Sequence, residues 1–309
     1  MCSSDLNSRF HLVNFDLSDA HSISKIIETI KPDYFINLAA QTFVGSSWDF
    51  PAQTWECNTT GVIHILEAIR QHKPSCRFYN AGSSEEYGNV AYTPQDEKHP
   101  LRPRSPYGAS KAAARLLVKV YRESYNLYAI QGLLFNHEGV RRGEEFVTRK
   151  ITKGVARIVK AIQNNEHFEP IELGNVKARR DWSDAEDFVH GIWLMLNQDK
   201  PNEYVLSSDE THTIAEFVWY AFKSAGITGA WHGEAESSEF SITTEDAIRY
   251  EPVSSVLVKI NKKYYRPAEV DLLLGDSTKA RNELKWEPKT SFEELVKKMV
   301  KNDLKQIEL

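Results

Sequence analysis

Apolar residues in the first 135 positions alternate between short runs and helical spacings. The short runs predict four strands, at 10–17, 34–38, 77–81 and 129–134. Between them, apolar residues three and four positions apart predict three helices, at 22–30, 54–71 and 107–125. Strands that alternate with helices are typical of a parallel sheet covered on both faces. The pattern therefore predicts a doubly wound α/β sheet.

After Leu134 the pattern becomes less regular and predicts a smaller α/β lobe that is partly interleaved with the sheet. The predicted strands are short, at 172–174 and 256–260, and the predicted helices lie at 150–162, 185–197, from 213 onward and at 291–304. Thr213 and Glu216 match a capping box at a helix start. Residues 231–252 are acidic and rich in serine and threonine, so we predict a loop there.

Composition excludes several classes of protein. The chain has 309 residues, a net charge of −5 and 41% hydrophobic residues. The negative balance gives no nucleic-acid footprint, and no apolar run approaches the ~18 residues of a membrane span. Three widely spaced cysteines favour a reducing compartment over a disulfide or zinc framework. We therefore predict a cytoplasmic protein without a metal site.

Candidate chemistry is concentrated between Asn80 and Lys111. Ser83 and Glu85 follow the strand at 77–81, where open α/β sheets place their ligands. Tyr107 and Lys111 lie one turn apart on the same face of the next helix, so we predict that the lysine charge lowers the phenol pKa from its usual ~10. Such a pair suits proton removal from an alcohol while a hydride leaves its carbon. The spacing alone is more often an ordinary surface pair.

Further segments carry a resemblance to a known family. Tyr107-x-x-x-Lys111 with Ser83-x-Glu85 resembles the sugar-nucleotide-modifying branch of the extended short-chain dehydrogenase/reductases. Seven more segments resemble the GDP-mannose 4,6-dehydratase family, at 37–41, 104–108, 134–138, 141–143, 146–150, 179–182 and 264–271. The resemblance runs from about Phe10 to the C-terminus and implies a Rossmann-like fold.

The resemblance implies a carbon–oxygen lyase that converts GDP-mannose to GDP-4-dehydro-6-deoxymannose and water. By this resemblance Tyr107 takes the proton from the C4 hydroxyl, and hydride passes from C4 to NADP. Ser83 holds the C4 oxygen, and Lys111 holds the cofactor ribose and tunes Tyr107. Glu85 then removes the C5 proton and helps the C6 hydroxyl leave as water. Hydride returns to C6, so the cofactor is regenerated.

The same resemblance implies two sets of binding residues. The expected NADP-binding residues are Asp16, Leu17, Leu38, Ala39, Ala40, Gln41, Thr42, Gln53, Lys111, His137 and Arg142. The expected GDP-sugar-binding residues are Asn136, Val147, Lys150, Arg180, Arg266 and Glu269. Arginine suits this role because its planar guanidinium can grip a diphosphate with two hydrogen bonds. Each charged residue taken singly could instead be an ordinary solvated surface group.

The chain departs from the family pattern at three places. Ser83 stands where the family has threonine, and Glu86 stands where it has an apolar residue; we predict that Glu86 is solvated. The Gly-x-Gly-x-x-Gly loop that approaches a pyrophosphate is not found near the N-terminus. We therefore expect an N-terminally truncated sheet that lacks one β-α-β unit, either from an incomplete sequence or as a natural variant with another cofactor grip.

These observations predict three regions and leave alternative functions open. We expect a disordered lead at 1–9, a partial NADP-binding Rossmann domain at 10–135 and mainly a GDP-sugar-binding lobe at 136–309. The family resemblance implies a homo-oligomer, a dimer or a tetramer. Alternative functions are a dehydratase for a related GDP-sugar such as a GDP-heptose, a 4-keto sugar-nucleotide reductase, or an inactive fragment that binds only the nucleotide sugar.

Overall fold

The computed structural model describes residues 10–250, 255–265, 270 and 272–307. The helices in this part of the chain, α1 to α9 in chain order, are Ala20–Ile30, Pro51–Trp55, Gly61–His72, Pro106–Ser124, Val147–Gln163, Ala185–Leu196, Ile214–Ser224, Thr244–Tyr250 and Phe292–Ile307. The strands, β1 to β12, are Tyr34–Asn37, Arg77–Ala81, Ala129–Leu134, Asn136–Glu138, Ile171–Leu173, Arg179–Arg180, Trp182–Asp184, Tyr204–Leu206, His212–Thr213, Gly229–His232, Glu239–Ile242 and Val256–Ile260.

The first sheet has the strand order β1-β2-β3-β8, and all its strands are parallel. Phe35 is paired with Phe78 and Phe78 with Ala129, so the carboxyl ends of the strands meet along one edge. Strand β8 joins this sheet from the second half of the chain, next to β3. The Rossmann-like α/β fold predicted from the alternating pattern is confirmed.

Two layers of helices cover the first sheet. Helices α1, α3 and α4 pack on the face that carries Phe78 and Ala129, where Ile65 and Val118 are fully buried. Helix α6 covers the opposite face through Phe188, which belongs to the same core as Tyr79 and Ile130 of the sheet. Burial of such side chains contributes roughly 1.5–3 kcal/mol each, which fixes the sheet between its helices.

The second sheet has the order β10-β11-β12-β5 and packs against α5, α7 and α9. It shows that the predicted loop over residues 231–252 is wrong, because β11 and α8 lie there. Phe240 and Ile242 explain the error: both are buried, and Phe240 packs against Phe222. These two buried side chains of β11 fix the strand, although the local composition is that of a loop.

Helix starts agree with the polar residues that precede them. The Thr213 hydroxyl accepts a hydrogen bond from the Glu216 amide at 3.0 Å, and the Glu216 carboxylate accepts one from the Thr213 amide. This confirms the predicted capping box of α7. Helices α2 and α3 form one continuous element joined by the π-helical turn Glu56–Thr60, where the sequence predicts a single regular helix.

The predicted buried strand at 10–17 is wrong. Phe10, Leu12 and Val13 are more than half exposed, and only Leu17 is buried. Among the described residues this segment has no paired strand, and an extended segment is stable only when a neighbour satisfies its backbone groups. Phe15 instead packs its ring 5.9 Å from that of Phe35 at the edge strand β1. None of the described helices is both long and apolar enough to cross a membrane.

Candidate active site

A cavity of about 930 Å³ lies at the carboxyl edge of the first sheet. Twelve of the predicted site residues line it: Leu38, Thr42, Ser83, Glu85, Tyr107, Lys111, Asn136, His137, Arg142, Val147, Lys150 and Arg180. They come from the segments after β1, β2 and β3, from the starts of α4 and α5, and from β6, which carries Arg180. The fold thus brings residues from both halves of the chain to one cleft, where open α/β sheets bind their ligands.

Ser83 stands at the turn that directly follows β2. Its backbone is extended, and it caps the short 3-10 turn Ser84–Glu86. The Ser83 hydroxyl accepts a hydrogen bond from the Glu85 amide at 3.3 Å. The Glu86 carboxylate accepts one from the Ser83 amide at 2.8 Å. This capping box directs the two glutamates differently: Glu85 lines the cavity, while Glu86 is fully buried.

The burial of Glu86 corrects the prediction that it is solvated. Its Oε1 also accepts a hydrogen bond from Gln131 Nε2 of β3 at 2.8 Å. Burial raises the pKa of Glu86 to about 7, against the opposing charges of Arg115 and Lys111. The alternation of side chains along a strand does not apply to a one-turn helix, so sequence spacing alone could not assign the Glu86 side chain to the interior.

Tyr107 and Lys111 are placed by the first turns of α4. Pro106 occupies the first turn, and the Ser105 hydroxyl accepts a hydrogen bond from the Gly108 amide at 3.0 Å. Lys111 Nζ donates to the Ala81 carbonyl at 2.8 Å and lies 5.9 Å from the centre of the Tyr107 ring. Helix α4 is thereby fastened to the end of β2, next to the Ser83 turn.

The electrostatics of this pair differ from the prediction of a lowered phenol pKa. Burial raises the pKa of Tyr107 to about 12, although a hydrogen bond with Ser83 and the charge of Arg142 favour the phenolate. Burial also lowers the pKa of Lys111 to about 8, against the charge of Glu86. Both changes have one cause, because a buried site disfavours the charged form of either group.

Asn136 and His137 follow β3 and face the same cavity. His137 is stacked on Phe188, with ring centres 5.1 Å apart, and its Nδ1 lies 2.9 Å from the Phe135 carbonyl. Since a carbonyl can only accept, Nδ1 carries the proton and Nε2 is the acceptor. Burial lowers the pKa of His137. Asn136 Oδ1 is buried and has no hydrogen-bond partner among the described residues.

Arg142, Lys150 and Arg180, here called the cationic group, supply positive charge to the cavity. Arg142 lies 3.2 Å from the buried Glu138 carboxylate, and its guanidinium stacks over the Phe146 ring at 3.6 Å. Lys150 Nζ lies 3.4 Å from the centre of the Tyr264 ring. Arg180 is buried and donates to the Arg179 carbonyl at 2.9 Å. Aromatic rings hold Arg142 and Lys150, and a backbone carbonyl holds Arg180, at the wall of the cavity where an anion would lie.

Six predicted cofactor residues do not line the cavity. Asp16 is exposed and accepts hydrogen bonds from Ser18, which lower its pKa. Leu17 is buried against Gly61 of α3. The remaining four, close to the edge strand β1 or on α2, are Ala39, Ala40, Gln41 and Gln53. The predicted sugar-nucleotide residues Arg266 and Glu269 lie outside the described residues.

Sequence reasoning missed residues that hold the predicted ones. Glu138 fastens Arg142 and also accepts a 2.6 Å hydrogen bond from Thr148. Burial raises the pKa of Glu138, and the Arg142 charge opposes that rise. Asn58 binds both the amide and the carbonyl of Gln41, at 2.9 and 3.0 Å. Glu138 belongs to the family-like segment 134–138, whereas no local signal indicated Asn58.

The cavity residues fit the nicotinamide-ribose half of a dinucleotide. Lys111 can hold ribose hydroxyls, and the unpartnered Asn136 Oδ1 and His137 Nε2 are polar atoms at the same cleft. The described residues that line the cavity provide no glycine-rich helix start for a pyrophosphate. The fit therefore covers the nicotinamide and its ribose, and Lys150 and Arg180 are left for the anionic part of a second ligand.

A second cavity, of about 810 Å³, adjoins the first through Lys150 and Tyr264. Among the cations that line it, Lys153 contacts Glu144, Lys259 lies 3.4 Å from Glu172, and Arg157 donates to the Glu169 carbonyl at 2.6 Å. The cavity at the sheet edge remains the candidate site, because the predicted catalytic residues line it.

Comparisons with known sequences agree with the geometry. The family model described as GDP-mannose 4,6 dehydratase matches residues 2–299. The chain is 45% identical over 291 residues to the Drosophila melanogaster GDP-mannose 4,6 dehydratase, covering 94% of this chain and 70% of that protein. It is 42% identical over 291 residues to the human protein of that name, covering 94% and 75%. For the Vibrio cholerae GDP-mannose 4,6-dehydratase the identity is 39% over 303 residues, covering 97% and 80%.

Solved structures with the same fold are more distant in sequence. RMD from Pseudomonas aeruginosa complexed with NADPH has a TM-score of 0.75 at 21% identity, covering 98% of this chain and 93% of that one. The dTDP-glucose 4,6-dehydratase DesIV from Streptomyces venezuelae, with NAD and TYD bound, has a TM-score of 0.76 at 21% identity, covering 96% and 80%. These two show the fold. Together with the match over residues 2–299, the sequence identities show that the chain belongs to the GDP-mannose 4,6 dehydratase family.

Proposed function

We propose that this chain is a carbon–oxygen lyase that converts GDP-mannose to GDP-4-dehydro-6-deoxymannose and water. The observation that carries the proposal is that the phenol of Tyr107, the hydroxyl of Ser83 and the carboxylate of Glu85 line one cavity together with the cationic group. A base for C4 and a base for C5 of one hexose must both reach the same ligand. Family membership and the identities to relatives named as GDP-mannose dehydratases support this substrate.

In the first step Tyr107 removes the proton from the C4 hydroxyl while Ser83 holds the C4 oxygen. The Ser83 side chain lies close enough to favour the phenolate of Tyr107, as two groups acting on one hydroxyl require. Burial raises the pKa of Tyr107 to about 12, so Tyr107 acts as the base only where nearby positive charge stabilises its phenolate. Lys111, 5.9 Å from the centre of the ring, and Arg142 supply this charge.

In the second step Glu85 acts as base and then as acid. The C4 ketone acidifies the C5 hydrogen, Glu85 removes it as a proton, and the same carboxyl gives a proton to the C6 hydroxyl as it leaves as water. Glu85 is only half-buried at the cavity wall, where a ligand in the cavity can reach its side chain. A nicotinamide cofactor, when bound, would accept the hydrogen from C4 and return it to C6.

The substrate and the cofactor divide the rest of the cavity. Lys150 and Arg180 bind the diphosphate of the GDP group, with Val147 at the start of α5 beside it, while Asn136 binds the sugar. His137 and Arg142 lie on the cofactor side. We propose NADP as this cofactor. Arg266 and Glu269, which lie outside the described residues, are proposed to bind the GDP-sugar. The NADPH held by the Pseudomonas aeruginosa protein supports a nicotinamide cofactor in this fold.

We also propose that the protein acts in the cytoplasm as a homo-oligomer, a dimer or a tetramer. Leu116 and Val120 are 55% and 48% exposed on the outer side of α4, one turn apart. Two apolar side chains at this spacing form a stripe that a second copy could cover. The three cysteines fit a reducing compartment, as the sequence analysis indicates.

The direct test is to incubate the protein with GDP-mannose and NADP and to follow the 4-keto product. Glu85→Gln should lower the rate of water loss about 10²-fold or more, because the amide cannot accept the C5 proton. Glu123→Gln, on the exposed end of α4, is the matched control and should leave the rate unchanged. A Glu85→Gln protein that eliminates water at the full rate would refute the assigned role.

The same assay distinguishes the remaining candidates. A 4-keto reductase would form no 4-keto product from GDP-mannose, and a dehydratase of a related GDP-sugar would turn over that sugar in preference. A chain that binds GDP but shows no binding of NADP at millimolar concentration would be a nucleotide-sugar-binding fragment. Titration calorimetry with GDP and with NADP separates this outcome from the first two.

A further inference from the structure

Glu86 is a buried carboxyl that the proposed mechanism does not use. It belongs to the one-turn helix that also carries Glu85, and it is fully buried behind the cavity wall. Its Oε1 accepts hydrogen bonds from the Ser83 amide and from Gln131 Nε2, both at 2.8 Å. Its Oε2 is buried and has no hydrogen-bond partner among the described residues. A buried carboxyl with one unsatisfied oxygen is costly, so its presence calls for an explanation.

Glu86 is the last member of a polar ladder that crosses the first sheet. Asn37 Nδ2 of β1 donates to Asn80 Oδ1 of β2 at 2.8 Å, and Asn80 Nδ2 donates to Gln131 Oε1 of β3 at 2.8 Å. Gln131 Nε2 then donates to Glu86, and more weakly to the Lys111 carbonyl at 3.2 Å. The ladder thus connects three neighbouring strands to the backbone of both Ser83 and Lys111.

Titratable and charged groups surround Glu86, and two of them, Lys111 and Tyr107, belong to the candidate site. Lys111, Arg115 and Tyr107 face it from α4, Tyr79 faces it from β2, and Tyr87 follows it in the chain. Arg115 is largely engaged elsewhere, since it binds Glu203 at 3.0 Å and the Glu97 carbonyl at 2.7 Å. The Gly82 backbone also approaches closely: a Cβ there would lie 2.7 Å from Glu86 Oε1.

We propose that Glu86 is a positioning residue of the active site, which fixes the Ser83 turn and supplies the negative charge that acts on the Lys111 ammonium. The proposal rests on the proposed dehydratase function for its catalytic consequence. Its structural content stands on the two hydrogen bonds of Glu86 and on the Gln131 link to Lys111. The resembled family has an apolar residue at position 86. In this chain the Glu86 carboxyl provides a buried counter-charge for the Lys111 ammonium.

Electrostatics agree with this role. Lys111 is buried, and Glu86 opposes the fall of its pKa, which burial brings to about 8. Without that carboxylate, Lys111 would lose its proton at a lower pH, because an opposite charge nearby favours the charged form. His137 is the further titratable group affected by Lys111 at the cavity. A neutral Lys111 could no longer stabilise a phenolate at Tyr107.

The test is the ionisation of Lys111 itself, followed by NMR of lysine labelled at Cε and Nζ. The Lys111 signal is the one that disappears in Lys111→Arg. In Glu86→Gln, which keeps an oxygen acceptor of the same shape, we expect the midpoint of Lys111 to fall by about one pH unit. In Glu85→Gln, which removes the neighbouring carboxylate on the cavity side, the midpoint should stay where it is.

Glu86→Leu completes the series, because leucine restores an apolar side chain and removes both the charge and the hydrogen bonds. We expect the same fall of the Lys111 midpoint and, in addition, a changed amide signal of Ser83, which Glu86→Gln should largely preserve. A Lys111 midpoint that does not move in folded Glu86→Gln overturns the proposal. If Glu86→Gln does not fold, the midpoint in Glu86→Leu decides in the same way.

Activity is the second readout and separates this inference from the proposed function. The basic limb of the pH profile of kcat should move to lower pH with Glu86→Gln, by the same shift as the Lys111 midpoint, while KM for GDP-mannose stays nearly constant. A protein without dehydratase activity but with the Lys111 shift would refute the function and retain Glu86 as the counter-charge. A protein that is an active dehydratase but shows no shift of the Lys111 midpoint would support the function and refute the role of Glu86 as the counter-charge.

Discussion

Two groups of residues in the same cavity are built on different principles. Tyr107 and Lys111 are 7% and 5% exposed and sit on a helix fastened to the end of a central strand. The cationic group includes Arg142, whose side chain is 24% exposed, and Lys150, which rests on the 43% exposed ring of Tyr264. Tyr107 and Lys111, here called the dry group, are shielded from solvent. In the cationic group Arg142 and Lys150 lie partly in solvent against aromatic rings, whereas Arg180 is buried.

The difference shows what burial does to each kind of chemistry. In the dry group burial alters the pKa of both residues, raising that of Tyr107 and lowering that of Lys111. The charged forms of both side chains are therefore disfavoured until a ligand brings a compensating charge into the site. This suits groups that move protons only during the reaction. Cations that bind a diphosphate need no change of pKa, because they must already be charged when the ligand binds.

The strongest test of the comparison removes the Tyr107 hydroxyl. Tyr107→Phe keeps the buried ring but takes away the base, so we expect kcat to fall about 10²–10⁴-fold. Binding of GDP-mannose, measured by calorimetry, should be nearly unchanged because the cationic group is intact. Tyr125→Phe, at the exposed end of α4, is the control and should keep full activity. Equal losses in binding and in kcat would contradict the division between the two groups.

The partly exposed group should respond in the opposite way. Lys150→Gln removes one charged hydrogen bond to a phosphate, worth about 1.5–3 kcal/mol, so we expect KM to rise roughly 10-fold or more with little change in kcat. Added salt should weaken substrate binding by the wild type more than by the variant. Lys153→Gln lies one turn further along α5, where its partner is Glu144, and serves as the matched control. A fall in kcat without a rise in KM would place Lys150 in the reaction itself.

The sequence predicted the central part of the fold because its signals there are local. Strands at 77–81 and 129–134 were predicted with the bounds observed, since continuous apolar runs between helices have few other interpretations. The third helix was predicted at 107–125 and is observed as α4 at Pro106–Ser124, one residue earlier at each end. For the same reason the residues that line the cavity follow strand ends, which the topology places along one edge.

The predictions that were wrong concern features that depend on contacts between residues far apart in the sequence. Phe240 forms a strand because it meets Phe222, and Phe10 remains exposed because no described strand lies beside it. Glu86 is buried because Gln131 of β3 receives it, 45 positions along the chain. The pKa of Tyr107 follows the same rule: the neighbouring lysine is visible in the sequence, whereas the burial that outweighs it is not.

The smallest expected effect separates positioning from stability. Ser105 caps α4 and Thr213 caps α7 in the same way. In each helix the capping hydroxyl accepts a hydrogen bond from the amide three residues later, at 3.0 Å. Ser105→Ala and Thr213→Ala should each lower the free energy of unfolding by about 1 kcal/mol, measured by urea titration. Only Ser105→Ala should also lower kcat, because the turn it caps carries Tyr107.

The size of that decrease follows from the geometry. Loss of the cap frees the first turn of α4, while the hydrogen bond from Lys111 to Ala81 still fastens the next turn. We therefore expect a fall of only about 2–10-fold in kcat, far less than for Tyr107→Phe, from a modest misplacement of the phenol. Two variants with equal stability but unequal activity would show that the dry group depends on exact placement. Equal activity would mean that packing around Tyr107 holds it without the cap.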